Sequence, residues 1–327
     1  MLKNGTIIFN KYQIIKQIGV GGMSIVYLAS EIRTGEKWAV KVIDKQSKEF
    51  KAMANEQGKL TEIEIVKDLD HPFIPSVNDL FEDERFITIV MEYVDGCSLK
   101  EVIDKEGPID EDSVVKWGKA LCEIFIYLHT RQEPVIYKDL KPANIMLKQN
   151  GEIKLLDFGI AVIMHEDGSL SNEKPLGTKG FASPEHFKGK VDERSDIYTL
   201  GMTLYSLITG TSPTAKDFKR DKISSIVEVN PRLEEIIEKA IRLNPKDRYQ
   251  SVSEILKDLV TYKQKRPAKK SSNNNKYVII SLIIVLIAAA LIAITVFLIS
   301  SKDKSDSAIK NSGLTEITIE SIGGVKA

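Results

Sequence analysis

The chain has 327 residues, and its 46 basic and 46 acidic side chains cancel, so net charge gives no ground for nucleic acid as the main partner. Its two cysteines, Cys97 and Cys122, form neither a disulfide framework nor a C-x-x-C motif, and both read as buried small apolar residues in a reducing compartment. The four histidines, His71, His129, His165 and His186, lack ligand-pair spacing, which argues against a histidine-built metal site.

The first ten residues hold no apolar run of signal-peptide length. β-type runs then follow at Tyr12 to Ile18, Ile25 to Ala29 and Lys37 to Ile43, separated by turns, and predict antiparallel strands. Between the first two lies Gly19-Val20-Gly21-Gly22-Met23-Ser24-Ile25-Val26. Glycines let a backbone approach phosphate oxygens and present N–H groups to them, although alone this segment reads more simply as a ligand-free hairpin turn. Fifteen residues after Val26 comes Ala39-Val40-Lys41-Val42. A lysine inside an apolar strand is costly without a partner, and phosphates together with a carboxylate would supply one.

Lys48 to Leu69 is helix-like and Phe86 to Glu92 strand-like, while helical periodicity dominates from Glu111, interrupted at Pro134, Pro142, Pro184 and Pro213. One hairpin is expected inside this half, where Gln149-Asn150-Gly151 separates two short apolar runs. The expectation is a small β-rich lobe followed by a larger helical one.

Further along stand Ile136-Tyr137-Lys138-Asp139-Leu140-Lys141-Pro142-Ala143-Asn144, Leu156-Asp157-Phe158-Gly159 and Ser183-Pro184-Glu185. With the glycine-rich loop and Lys41 they make five motifs in order, and over residues 10 to 262 the chain resembles the eukaryotic-like, or Hanks-type, protein kinases in their bacterial serine/threonine form. The resemblance implies an α+β, two-lobed fold and the use of ATP with Mg²⁺, Mn²⁺ being an alternative ion. It assigns Lys41 to the α- and β-phosphates, paired with a helix glutamate placed at Glu62, with Glu56 and Glu64 as rivals. Asp139 is expected to accept the hydrogen bond of the acceptor hydroxyl, Lys141 to contact the γ-phosphate as in serine/threonine kinases, and Asn144 and Asp157 to hold metal. The loop Gly19, Val20, Gly21, Gly22, Met23 and Ser24 would cover the phosphates. Val26 and Ala39 would cover the purine, Met91 would be the gatekeeper, and Glu92 and Val94 would offer backbone groups. Core packing alone would explain the same apolar residues. Asp196 is expected to brace the catalytic loop, and Arg248 to pair with Glu185.

Four positions depart from the family pattern: Ser24 for the third loop glycine, Tyr137 and Lys138 for His and Arg of H-R-D, and Ser183 for Ala of A-P-E. A lysine offers a point charge where arginine offers a planar fork for phosphate. Between Asp157 and Gly177 the only hydroxyls are Ser169 and Ser171, and with Thr178 they are the candidate phosphosites. Glu166 and Asp167 are expected to supply standing negative charge near Lys138, so that activity depends less on loop phosphorylation than in relatives with arginine and threonine.

Residues 263 to 276 carry six basic side chains and no acid, and Tyr277 to Ser300 carry no charge at all. At about 1.5 Å per residue the apolar run reaches roughly 36 Å, enough to cross a bilayer core of about 30 Å. The expectation is therefore a kinase domain at 10–262, a basic juxtamembrane linker at 263–276, a single transmembrane helix at 277–300 and a short extracytoplasmic tail at 301–327. The positive-inside rule places the kinase domain in the cytoplasm. Expected partners are Ser/Thr-bearing protein substrates and membrane lipid, with no nucleic acid; a homodimer is admitted. Two other classes compete: a pseudokinase acting as a membrane-bound scaffold, and a receptor that senses outside the cell.

Overall fold

A computed structural model describes residues 2–54, 60–171 and 176–264, together with residues 286, 287, 291, 294 and 295. The chain divides into two units, Met1–Gln264 and Lys265–Ala327.

In the first unit, β1 (Ile7–Ile8), β2 (Tyr12–Val20), β3 (Ser24–Glu31), β4 (Lys37–Asp44), β5 (Val77–Glu82) and β6 (Phe86–Glu92) form an antiparallel sheet in the order β1-β2-β3-β4-β6-β5. The three strands read from sequence between Tyr12 and Ile43 are present. Strands β1 and β5 were not among the expected elements, although the in-out alternation of Val77 to Glu82 is the period-two signal of a half-buried strand. Period-two geometry also gives the sheet two apolar faces. Tyr12, Ile14, Tyr27, Ala29, Val40 and Val90 pack on one, while Ile43, Ile87 and Ile89 meet Phe50 and Leu60 on the other.

The helix expected over Lys48 to Leu69 is instead two short ones, α1 (Lys48–Met53) and α2 (Thr61–Val66). Ser47 caps α1 by accepting from the Phe50 N–H at 3.0 Å, and Ala54 leaves the helix in an extended conformation. Leu60, also extended, opens α2. Burial of Phe50 and Leu60 in one apolar cluster outweighs the weak local preference for a continuous helix.

The larger lobe contains β7 (Gly96–Ser98), α3 (Leu99–Glu106), α4 (Glu111–His129), β8 (Val135–Ile136), β9 (Ile145–Lys148), β10 (Ile153–Leu155), β11 (Val162–Ile163), α5 (Glu193–Thr209), α6 (Pro231–Ala240) and α7 (Val252–Thr261). The expected Asn150-Gly151 hairpin joins β9 to β10. Helix starts are capped by side chains: Ser98 and Glu101 make a reciprocal capping box for α3, and Asp110 caps α4. Every residue of α5 from Ser195 to Thr209 is buried, so this helix is the axis of the lobe's core.

Cys122 is buried as expected, but Cys97 is exposed, because the short strand β7 runs along the surface. Lys263, assigned to the linker, is ion-paired with Asp112 at 2.5 Å. Residues 265–276 of the linker, the tail and most of the expected span lie outside the described residues. Among the described residues no helix is long and apolar enough to cross a membrane. Within the apolar run, Leu286, Ile287, Leu291 and Ile294 are helical and exposed.

Candidate active site

The nucleotide half of the site grows from the pairing of β3 with β4. Gly19 pairs with Val26 and Val20 with Ile25, the Gly21 N–H closes the turn on the Ser24 carbonyl at 2.7 Å, and Val26 lies opposite Lys41. Register therefore brings the glycine turn and the lysine together. Lys41 is ion-paired with Glu62 of α2, and its Nζ is 3.5 Å from Asp157 Oδ1. Glu62 is thus the partner; Glu64 is not, and Glu56 lies outside the described residues. Burial disfavours the Lys41 charge, but the carboxylates of Glu62 and then Asp157 outweigh it and hold its pKa above the ordinary lysine value. The second oxygen of Glu62, Oε2, is buried without a hydrogen-bond partner. Asp157 adopts a left-handed backbone, φ 59°, and accepts from the Gly159 N–H at 3.2 Å. Its carboxylate remains half exposed.

At the adenine side, Ala39 pairs with Met91 across β4 and β6, Val94 is buried and Val26 half-buried. The Glu92 N–H is already donated to the Ser76 carbonyl at 2.9 Å, so of Glu92's two backbone groups only its carbonyl stays a candidate for the purine. Its side chain is held by Lys154, whose Nζ is 2.5 Å from Glu92 Oε2 and 3.3 Å from the Ile74 carbonyl. Lys154, buried on β10 three residues before Asp157, was not among the sequence candidates; a lysine inside the apolar run Ile153-Lys154-Leu155-Leu156 was the available signal. Gly96 is fixed by close approach, since a Cβ there would stand 2.1 Å from the Leu147 carbonyl oxygen.

The catalytic half is a triangle. Lys141 Nζ lies 2.6 Å from Asp139 Oδ2, the Thr178 hydroxyl donates to Asp139 Oδ1 at 2.6 Å, and Lys141 donates to Thr178 Oγ1 at 2.7 Å. Asn144 donates its amide N–H to the Asp139 carbonyl at 2.9 Å and to Oδ2 at 3.1 Å, which leaves Asn144 Oδ1 as the free acceptor. An amide oxygen and a carboxylate, Asn144 and Asp157, are hard ligands that suit Mg²⁺ shared with phosphate oxygens. Among the described residues no group of three or more His, Cys, Asp or Glu side chains could hold a metal ion.

The loop is braced from α5. Asp196, fully buried, accepts from the backbone N–H of Tyr137 and of Lys138, each at 2.8 Å, and meets His129 Nε2 at 2.9 Å. These bonds hold Lys138 at φ 69°, a conformation a non-glycine residue keeps only when its surroundings impose it. Tyr137 donates its hydroxyl to the Leu156 carbonyl at 2.5 Å and sets its ring edge-on to Phe158, centroids 5.1 Å apart, so the substitution for histidine couples the two catalytic loops through packing.

The activation segment corrects one expectation. Lys138 is buried, and burial lowers its pKa against the attraction of Asp196. Asp167 instead accepts from the Ser169 N–H at 2.9 Å to close a turn, and Glu166 is exposed. Ser169 is exposed, whereas Ser171 Oγ accepts from the Ile163 N–H at 2.9 Å. The expected structural pair is present: Arg248 reaches Glu185 with two bonds of 2.5 and 2.9 Å.

Residues 12–278 match the family model described as protein kinase domain. The chain belongs to the protein kinase family. It is similar to the serine/threonine-protein kinase PknB of Mycolicibacterium smegmatis, 33% identical over 270 residues that cover 77% of this chain and 43% of that protein. The probable serine/threonine-protein kinase PknB of Lactococcus lactis is 32% identical over 276 residues, covering 80% of this chain and 43% of the relative. The serine/threonine-protein kinase cds1 of Schizosaccharomyces pombe is 32% identical, covering 72% and 55%. The crystal structure of the Mycobacterium tuberculosis PknI kinase domain superposes with a TM-score of 0.61 at 26% identity, covering 80% of this chain and 99% of that one. The chain therefore spans about half the length of the curated relatives or less.

Proposed function

We propose that this protein transfers the γ-phosphoryl group of ATP to serine or threonine hydroxyls of other proteins, and that it does so at a membrane. The observation that carries the reading is the presence, in one site, of Lys41 joined to Glu62 and Asp157 and of Asp139 held by Lys141 and Thr178. Lys41, kept charged, binds and orients phosphate; Asp139 accepts the hydrogen bond of the incoming hydroxyl and aligns it for in-line attack; Lys141 faces the charge that develops on the transferred group. Asn144 Oδ1 and Asp157 would hold Mg²⁺, which neutralises triphosphate charge when bound. Lys141 and Thr178 beside the aspartate favour Ser/Thr as acceptor, as do the names of the relatives.

Membrane attachment is supported by the uncharged run 277–300 and its basic flank, and by the exposed apolar side chains Leu286, Ile287, Leu291 and Ile294 on helical backbone. The basic flank suits anionic lipid. On this reading the kinase domain faces the cytoplasm and the tail lies outside.

The deciding experiment incubates the full chain, in detergent, with labelled ATP, Mg²⁺ and a generic acceptor protein beside an Asp139→Asn variant. Label on Ser or Thr from the wild type alone supports the reading, with the variant slower by about a thousandfold or more. Nucleotide binding without transfer would move the assignment to a scaffold.

A further inference from the structure

His186 has no exposed surface, and both of its ring nitrogens are engaged. The Ser183 N–H donates to Nδ1 at 3.2 Å, and the Ser183 hydroxyl stands 2.6 Å from the same nitrogen. An N–H donor fixes Nδ1 as the lone-pair nitrogen, so Nε2 carries the hydrogen and donates it to the Lys138 carbonyl at 3.2 Å. The neutral Nε2–H tautomer satisfies all these contacts. An imidazolium would set a second N–H against that of Ser183, inside a site where an unmet donor is costly.

The two ends of this contact matter because of what they touch. Lys138 is the left-handed residue immediately before Asp139. On another side, a Cβ at Gly177 would stand 3.3 Å from the His186 ring, and Gly177 immediately precedes Thr178, whose hydroxyl donates to Asp139. His186 therefore bonds one of the segments that position the Asp139 carboxylate and lies beside the other. The charged groups facing it are Asp196 of α5, Lys138 of the catalytic loop and its neighbour Glu185; Arg248 neutralises Glu185, and His129 shares Asp196. Burial, the largest influence, lowers its pKa below the ordinary 6.5, with Lys138 assisting and Asp196 and Glu185 opposing.

We propose that His186 is a positioning residue for phosphotransfer: as a neutral imidazole it ties the Lys138 backbone to Ser183, at the end of the segment 177–183 that carries Thr178, and its protonation loosens the register of Asp139 and Thr178. The inference rests on the kinase reading above. Because the folded pKa is depressed, the contact is intact above pH 6.5 and is lost as pH falls through the lower folded value.

The test compares the full-length wild type with His186→Gln and His186→Leu. Glutamine can accept from Ser183 and donate to Lys138 but does not titrate, so His186→Gln should keep kcat within about threefold of wild type at neutral pH and show a shallower acid fall. His186→Leu, if it folds, should lose about tenfold or more in kcat with little change in KM for ATP. Independently of activity, the backbone amide resonances of Asp139 and Thr178 should shift with the His186 ring titration in the wild type and stay still in His186→Gln. An unchanged acid fall in His186→Gln, or amides that ignore the His186 titration, overturns the proposal. A wild type that transfers no phosphate sinks the kinase reading instead, and the amide titration still decides the role of His186.

Discussion

Thr178 donates its hydroxyl to Asp139 Oδ1 at 2.6 Å while accepting from Lys141 Nζ at 2.7 Å. A residue 39 positions along the chain thus fixes the rotamer of the Asp139 carboxylate, which on the proposed function accepts the hydrogen bond of the incoming hydroxyl. Thr178→Ala should lower kcat by about ten- to a hundredfold with folding intact, and Thr178→Ser should recover most of it. Because the hydroxyl is committed to Asp139, Thr178→Glu should inactivate and not mimic an activating phosphate. Steady-state transfer to a peptide by the three variants checks this.

Ser169 lies on an exposed turn, and Ser171 Oγ serves the backbone of Ile163. Neither contact reaches Asp139 or Lys41. The double variant Ser169→Ala, Ser171→Ala is expected to keep activity within about threefold of wild type, since Asp196 braces the catalytic loop without a loop phosphate. A large loss that acidic replacements restore would show that phosphorylation is required.

Lys154 holds Glu92 from below the hinge at 2.5 Å. Lys154→Met removes the charge partner of a half-buried carboxylate and frees the strand that leads to Val94. We expect KM for ATP to rise about three- to tenfold with a smaller change in kcat, and nucleotide titration in the absence of acceptor should show the same loss.

Arg248 is fully buried at its side chain and satisfies Glu185 together with the carbonyls of Arg194, Arg242 and Leu243. Arg248→Ala leaves a mostly buried carboxylate unpaired, for which about 3–5 kcal/mol of lost stability is expected by urea unfolding. The same pair gives a pH signature. Burial pushes Glu185 upward, but the two bonds from Arg248 outweigh it and hold its pKa below the ordinary 4.5. Its contribution is therefore present above pH 4.5 and is lost as pH falls through the lower folded value. That acid dependence should be reduced in Arg248→Ala.

The elements of chemistry were legible in the sequence: the glycine turn, Lys41, the run from Asp139 to Asn144, Asp157 and the Glu185 motif are local patterns, and in the fold Lys41 meets Asp157, Asp139 meets Lys141 and Asn144, and Glu185 meets Arg248. Local patterning likewise located the strands from Tyr12 to Ile43 and the Asn150-Gly151 hairpin, because turn chemistry and alternation act over a few residues. Tertiary structure decided which side chains meet. Glu62 rather than Glu64 faces Lys41 because Phe50 and Leu60 seat the two short helices in the lobe's core. Asp167 accepts from the Ser169 N–H and closes its own turn. His186 and Lys154 acquire their roles from partners 48 and 62 residues away. Such contacts depend on how α5 and the two sheets pack, and hydrophobic periodicity specifies a buried face without naming the polar residue it will meet.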